Sequence, residues 1–426
     1  MIDYQKLKEE YASKRMGELL SICNNRHPIY DLNTGLIDKD EGKINSSIKK
    51  LESMGYRHSF IKFEYLKEKK HLNIGYLLPH NLITGGYKIL IEQANNLYTR
   101  GHNVVLYSHF PRPEWLDVKC RYFKVPSDRD LYEMVSGIDL IIAGYWDLIA
   151  DVMKAEAPMK YYIAQGDIDI FEYDTLPDYF KNAVTTAHSL PVKILTVSKI
   201  MQKRLKELYG RESVLIPNAI DEGIFYAGKN RGNNPPEILL VGSDALKFKG
   251  HEDIIKALYH LKKEGYKFKV KWIIPVLPEK DFRGTGINIA YHVCPTQDEI
   301  GWLYRHSEIY ISGSYYEAFS LPPLEAMACG TAVITTSNEG VKEYAVDNEN
   351  CLMYQAGNVD QLIEKIKMLL KSRNLRKRLI EKGLETAKMY TWKNSIDLLE
   401  KEFMEYKDNM VIGAFEALDV LKGGGR

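Results

Sequence analysis

From residue 72 onward the chain repeats one local pattern: an apolar run, a turn of glycine and small polar residues, an amphipathic stretch, then another apolar run. Leu72–Leu78 (LNIGYLL) reads as a strand and PHNLITGG as a turn. In YKILIEQANNLYTRG, Ile89, Leu90, Ala94, Leu97 and Tyr98 fall on one helical stripe, with Gly101 as the C-terminal cap. Val104–Tyr107 is the next strand. Strands separated by a helix pair parallel, so this rhythm predicts an α/β architecture.

The rhythm predicts further strands at 138–144, 159–165 and 193–198, a helix over 199–209, and the strand SVLIPNA. The segment YAGKNRGNNPPE (226–237) is rich in Gly, Asn and Pro and reads as a linker. The alternation then restarts with EILLVG (237–242), a helix on HEDIIKALYHLKKEG, and strands at VKWIIP and INIAYHV. Thr296-Gln-Asp-Glu299 is a capping box opening a helix through Tyr304. EIYISGS, TAVITTS and NCLMYQ complete a second sheet, and VDQLIEKIKMLLKS and a stretch from Trp392 to about Tyr406 read as late helices.

At 426 residues the chain exceeds what one core usually organises. The predicted layout is a helical extension over 1–70, Rossmann-like domains over 71–226 and 227–390, a helix over 391–408 and a tail over 409–426. Two such sheets would face a cleft at their carboxyl ends, where α/β folds hold ligands.

Charge narrows the function. Lys and Arg total 58 against 57 Asp and Glu, a formal +1, which argues against bulk binding of nucleic acid. No run of eighteen apolar residues occurs, and MIDYQKLKEEYASKR is too polar for a secretory signal. Five scattered cysteines without a C-x-x-C pair suit a reducing compartment, so a cytoplasmic location is expected. The extension is expected to pack on the main body. Its basic stretch IKFEYLKEKK leaves open a peripheral contact with the inner face of a membrane or with a protein.

The most informative stretch is Gly313-Ser-Tyr-Tyr-Glu-Ala-Phe-Ser-Leu-Pro-Pro-Leu-Glu-Ala-Met-Ala-Cys-Gly330. A strand ending near Ser312 feeds a loop with Glu317. Pro322 and Pro323 mark a helix first turn that would contain Glu325. Two carboxylates eight residues apart are thus presented at one strand-to-helix crossover. The spacing alone is weak, but its setting in S-x-x-E-x-F-S-L-P-P-L-E-A-M-A-C-G is highly specific.

This segment resembles the donor-binding signature of retaining, nucleotide-sugar-dependent glycosyltransferases with the GT-B fold (glycosyltransferase family 4 type). ILTVSKIMQKRLKE, SVLIPNAIDEGIF, EILLVGSDALKFKGHEDIIKAL and the Trp392 helix agree with it, so the resemblance spans residues 72 to about 408. It implies Lys249 as the phosphate lysine, with Lys247 nearby. It implies that Glu325 takes the ribose hydroxyls, and that Glu317 holds the donor sugar and stabilises positive charge at the reacting carbon. The N–H groups of Gly85 and Gly86, and those of Ala318, Phe319 and Ser320, would receive phosphate at helix starts. The base would lie near His292 and Val293. No metal or other cofactor is required, because lysine and helix N-termini meet the departing diphosphate.

Two positions depart from the pattern. Ser243 stands where the family usually has an arginine, and Lys247 lacks that residue's bidentate fork. Gly144-Tyr-Trp-Asp147 stands where many members place a histidine. His80, Tyr145, Trp146 and Asp167 are therefore the acceptor-side candidates, with the Asp167-Ile-Asp169 triad taken as acceptor-side or structural. The expected function is transfer of a hexose-type sugar from a nucleoside diphosphate sugar to a hydroxyl of a glycan, lipid or small-molecule acceptor. The alternative is a non-catalytic sugar-nucleotide-binding subunit serving a partner transferase. A nicotinamide dehydrogenase is excluded, since the first turn is LLPHNLITGG and not G-x-G-x-x-G.

Overall fold

The computed structural model describes residues 65–423 apart from 167, 229–231, 233 and 279–281, together with helical positions 42, 46 and 49. The extension expected over 1–70 therefore lies almost wholly outside the described residues. Two compact units emerge. The first holds residues up to Thr196, Met201–Ile216 and Ile396 onward; the second holds Val197–Ile200 and Pro217–Ser395.

The first unit begins with β1 (Asn73–Leu77), α1 (Gly85–Thr99), β2 (Asn103–Ser108), β3 (Arg121–Lys124), β4 (Leu140–Ala143) and α2 (Ile149–Lys154). It continues through β5 (Met159–Ala164), α3 (Ile168–Phe171), α4 (Asp178–Ser189), β6 (Lys193–Thr196), α5 (Lys199–Tyr209) and β7 (Val214–Leu215). Its sheet order is β3-β2-β1-β4-β5-β6-β7, and every pair is parallel. A parallel sheet covered on both faces needs strands that are apolar throughout, and β4 (LIIA) is buried at every position. β5 is also fully buried although it carries Lys160, whose ammonium donates to Val152 O and Ala155 O at 2.7 Å. These carbonyls end α2, where a cation is favoured by the helix dipole.

The second unit contains β8 (Glu237–Val241), α6 (His251–Lys263), β9 (Lys269–Ile274), β10 (Ile289–Val293), α7 (Gln297–Arg305), β11 (Ile309–Ile311) and α8 (Leu321–Ala328). β12 (Ala332–Thr336), β13 (Leu352–Tyr354), α9 (Val359–Lys371) and α10 (Arg373–Ala387) follow. The sheet order is β10-β9-β8-β11-β12-β13, again parallel throughout. Ile254, Leu258 and Leu261 of α6 and Ile366 and Leu369 of α9 pack on Trp272, Ile309 and Ile334 of the sheet, all essentially inaccessible. The Thr296–Glu299 capping box forms as the sequence predicts.

The unit boundary falls at Ile216/Pro217, before the Gly/Asn/Pro segment expected to separate the domains. Backbone and side-chain contacts explain the difference. Ile220 bridges Thr391, Arg305 donates to Ile224 O at 2.6 Å, and its guanidinium lies 4.1 Å from the Tyr226 ring centroid. The last helix, α11 (Trp392–Gly423), extends past the end expected at 408. From Ile396 it packs on the first unit through buried Ile396, Leu399, Phe403 and Tyr406, spaced for one helical face. Glu402 pairs with Lys193 at 2.5 Å and accepts from Tyr161 Oη at 3.0 Å. Arg100 pairs with Asp397 at 2.6 Å. Among the described residues no helix is long and apolar enough to cross a membrane.

Candidate functional site

In a doubly wound parallel sheet, the strand order reverses at one point, and the carboxyl ends there open a crevice. In the second unit that point lies between β8 and β11. A pocket sits there, lined by Val241 at the end of β8 and by Lys249, Ser312, Ser314, Glu317 and Ser320 on the loops that follow the two strands.

Backbone contacts bring those loops together. After β8 the chain makes a 3-10 turn at Lys247–Lys249 and enters α6 through Gly250 at φ +64°. A Cβ on Gly250 would lie 2.2 Å from Gly313 O, so only glycine allows this approach. Tyr315 N donates to Phe248 O at 2.7 Å, and Tyr315 Oη donates to Asp253 Oδ2 at 2.6 Å. The Phe248 and Tyr316 rings stack at 4.8 Å. So fastened, the loops place Lys249 Nζ 2.6 Å from Glu317 Oε1, and Ser314 Oγ donates to the same oxygen at 2.8 Å. Both charged side chains remain partly accessible, at 21% and 16%. An ion pair of this accessibility adds little to stability. Its chemical importance is orientation: a cation and a carboxylate are fixed side by side at the crevice.

Glu325 differs from the sequence expectation. Ser320, at φ +68° and ψ 83°, turns the chain so that α8 begins at Leu321, ahead of both prolines. Glu325 therefore stands in the second turn, and no acidic residue occupies the first. The residue is 7% exposed, and its carboxylate accepts from Tyr304 Oη at 3.1 Å. Burial, together with the Glu325 charge, pushes the Tyr304 phenol well above its usual range, so it stays a donor. Glu325 is not among the residues lining the pocket.

The intervening loop is held by its carbonyls. Ser198 Oγ donates to Ala318 O, and Tyr344 Oη donates to Ser320 O. Phe319 is buried against Tyr344 and Tyr390. The N–H groups of Ala318, Phe319 and Ser320 find no acceptor among the described residues. Gly340 abuts the same loop, since a Cβ there would lie 2.1 Å from Glu317 O. His251 opens α6 beside the pocket and faces Val241 O through Nε2 at 3.2 Å. Burial, and then the nearby Lys249 charge, lower its pKa to about 4, so the imidazole is neutral and donates. Trp272 supports this corner from the core, with Nε1 donating to Gly242 O at 2.9 Å.

The other candidates are dispersed. Lys247 is exposed beside the Lys249 turn. Val293 ends β10 at the sheet edge and is 47% exposed. In the first unit, Gly85 and Gly86 start α1, with Thr84 as N-cap and Gly86 O accepting from Gln165 Nε2 at 3.0 Å. His80 stacks on Tyr87 at 5.4 Å. Tyr145 precedes a one-turn helix, whereas Trp146 is 1% exposed in the core against Phe180. Trp146 thus presents no face to a ligand here. Asp167 lies outside the described residues. Ser314, Tyr304, His251, Gly340 and Tyr344 were not singled out from sequence. Ser314 was legible in the S-x-x-E spacing; the others reach the site only through tertiary packing.

Residues 226–386, which lie within the second unit, match the family model for glycosyl transferases group 1. An uncharacterized glycosyltransferase of Methanocaldococcus jannaschii is 28% identical over 233 residues, covering 54% of this chain and 63% of the relative. The N,N'-diacetylbacillosaminyl-diphospho-undecaprenol alpha-1,3-N-acetylgalactosaminyltransferase of Campylobacter jejuni is 27% identical over 169 residues, 38% of this chain and 43% of the relative. The match thus spans about two fifths to three fifths of these curated relatives. Among solved structures, sucrose-phosphate synthase from Thermosynechococcus elongatus superposes with a TM-score of 0.66 at 15% identity, covering 79% of this chain and 99% of that one. The Anabaena protein HepE gives 0.63 at 15% identity, covering 79% and 100%. The fold is GT-B, built from two Rossmann-like parallel-sheet domains.

Proposed function

We propose that the protein is a retaining, metal-independent glycosyltransferase that moves a hexose-type sugar from a nucleoside diphosphate sugar to an acceptor hydroxyl. The observation that carries this reading is the Lys249–Glu317 pair, held at 2.6 Å in the switch-point pocket of a group 1 domain. Breaking the bond from anomeric carbon to diphosphate leaves positive charge on the sugar and negative charge on the phosphate. A carboxylate and an ammonium side by side stabilise those two charges. Because Lys249 supplies the cation, the leaving group needs no metal from the protein.

On this reading Lys249, with Lys247 in support, meets the diphosphate, and the unengaged N–H groups of Ala318–Ser320 add donors. Gly85 and Gly86 offer further N–H groups at the start of α1. Glu317 holds sugar hydroxyls and stabilises the reacting carbon. Glu325 takes the ribose hydroxyls, and the base lies toward Val293. The donor phosphate takes the acceptor proton on the face from which it leaves, because no protein nucleophile is assigned. The acceptor is a glycan, lipid-linked or small-molecule hydroxyl, with His80 and Tyr145 among its candidate contacts. The Campylobacter relative is named for a diphospho-undecaprenol-linked acceptor, and the Anabaena neighbour was solved with UDP-glucose, which supports the ligand classes. Nothing favours the alternative of a non-catalytic subunit.

The test is release of nucleoside diphosphate from UDP-, GDP-, ADP- and dTDP-sugars by the purified protein and two variants. Glu317→Ala should lower turnover about 100-fold or more with donor affinity largely kept. Glu325→Ala should chiefly raise the donor Kd. Full activity in both variants would refute the assignment.

A further inference from the structure

We infer that Asn338 is a positioning residue for Glu317, clamping the four-residue segment Ser314–Glu317 at both ends so that the carboxylate meets Lys249 at the crevice. The inference rests on the reading of Glu317 as the group that stabilises the reacting carbon. The stretch from Ser312 to Ser320 belongs to no helix or strand. No ladder of backbone bonds therefore sets the direction of Glu317, and contacts from neighbouring segments must do so. The Phe248 and Asp253 contacts hold the middle of the segment, at Tyr315; its two ends are held from another side. β12 runs beside this stretch, with Ser312 N donating to Ile334 O at 2.9 Å, and the chain leaving β12 carries the clamp.

At the first end, Thr336 Oγ1 donates to Ser314 O, while Asn338 Nδ2 donates to Thr336 Oγ1 at 3.0 Å and to Ser314 O at 3.4 Å. The amide takes a lone pair of the threonine hydroxyl and leaves its proton for Ser314 O. Ser314 in turn donates from Oγ to Glu317 Oε1 at 2.8 Å. At the second end, Asn338 Oδ1 accepts from Val341 N at 3.0 Å. That bond closes the turn carrying Gly340, whose backbone abuts Glu317: a Cβ there would lie 2.1 Å from Glu317 O. A backbone N–H only donates, so the bond from Val341 also fixes which way the Asn338 amide faces. Its oxygen goes to the turn and its nitrogen to Ser314. Both side chains are buried, with Thr336 at 0% and Asn338 at 6% exposed. Neither residue lines the pocket, so their influence on the chemistry runs through Glu317. One amide thus joins the serine that orients the carboxylate to the glycine that backs it.

A double-mutant cycle tests this, with release of nucleoside diphosphate from the best of the UDP-, GDP-, ADP- and dTDP-linked glucose or mannose donors as the assay. kcat, donor KM and Tm are measured on the full chain for wild type, Asn338→Ala, Glu317→Ala and the double variant. Asn338→Ala should lower kcat about tenfold with donor KM kept within about twofold, since a displaced carboxylate costs rate and not binding. In the Glu317→Ala background the same substitution should cost less than about twofold, because no carboxylate remains to be placed. A loosened fold that merely lowered the active fraction would act on both backgrounds alike, so multiplicative losses overturn the positioning role. So does an Asn338→Ala variant that keeps the wild-type kcat while Glu317→Ala loses it. Thr336→Val breaks the same chain without touching the Val341 turn, and it takes the place of Asn338→Ala in the cycle if that variant does not fold. Full activity in Glu317→Ala overturns the reading of Glu317, and a wild type that releases nothing from any donor overturns the site reading. Either takes this inference with it.

Discussion

Gly250 is a place where the site's geometry is exposed to a single methyl group. Gly250→Ala meets two costs. At φ +64° a Cβ is strained by about 1–2 kcal/mol. The new atom would also lie 2.2 Å from Gly313 O and 2.8 Å from Gly313 C. Both are backbone atoms that cannot swing aside, so the loop leading to Ser314 and Glu317 must move, an overpacking cost of about 1–3 kcal/mol. Gly265 supplies the control within the same unit. It has φ +89° but no atom within 4 Å of an added Cβ, so Gly265→Ala incurs only the backbone strain. In a unit of this size 1 kcal/mol moves Tm by about 2–4 °C. Gly265→Ala should therefore lose about 2–8 °C, and Gly250→Ala about 4–20 °C and the more of the two, by differential scanning calorimetry. Only Gly250→Ala should also weaken donor binding, because only it displaces the Glu317 loop. Equal Tm losses in the two variants would refute the claim that the Gly250–Gly313 contact sets the pocket.

Acid should destabilise the fold through two buried histidines. His188 and His251 are lowered by burial to about 4 from an ordinary 6.5, so between those values the unfolded chain binds more protons and stability falls as pH falls. Each contributes about 3 kcal/mol, fully present above pH 6.5 and lost toward pH 4, which urea unfolding at stepped pH would read. His188→Gln should flatten that slope; an unchanged slope would count against the argument. Lys160 acts over a higher window. Burial lowers its ammonium to about 7 from 10.5, so the unfolded chain again binds more protons and stability rises with pH between those values. Lys160→Met should abolish the rise, visible as a flat urea midpoint from pH 7.5 to 9.5.

How far sequence alone reaches differs between the scaffold and the site. The βα rhythm, the paired sheets, the Thr296 capping box and the two glutamates were all legible, because each is written in local periodicity or contiguous spacing. β3 and the helices α4 and α10 were missed. β3 is a short, largely exposed edge strand without a continuous apolar run, and α10 is strongly charged with little amphipathic contrast. Spacing put Glu325 in a first turn, but the left-handed Ser320 moved the helix start and carried it into the second.

Contiguous sequence determined that this chain would be two parallel α/β units with a cation-bearing loop after one strand and a carboxylate-bearing loop after another. Tertiary structure alone decided that those loops meet. Residues 249 and 317 are brought to 2.6 Å by a glycine contact, a ring stack and a Tyr315–Asp253 bond, none of which leaves a periodic trace. Periodicity reports which face of an element is buried; it carries no information on which distant loop that burial delivers to the same crevice. That is also why Tyr304 beneath Glu325, and the Asn338 clamp on the Glu317 segment, emerge only once the sheet is assembled.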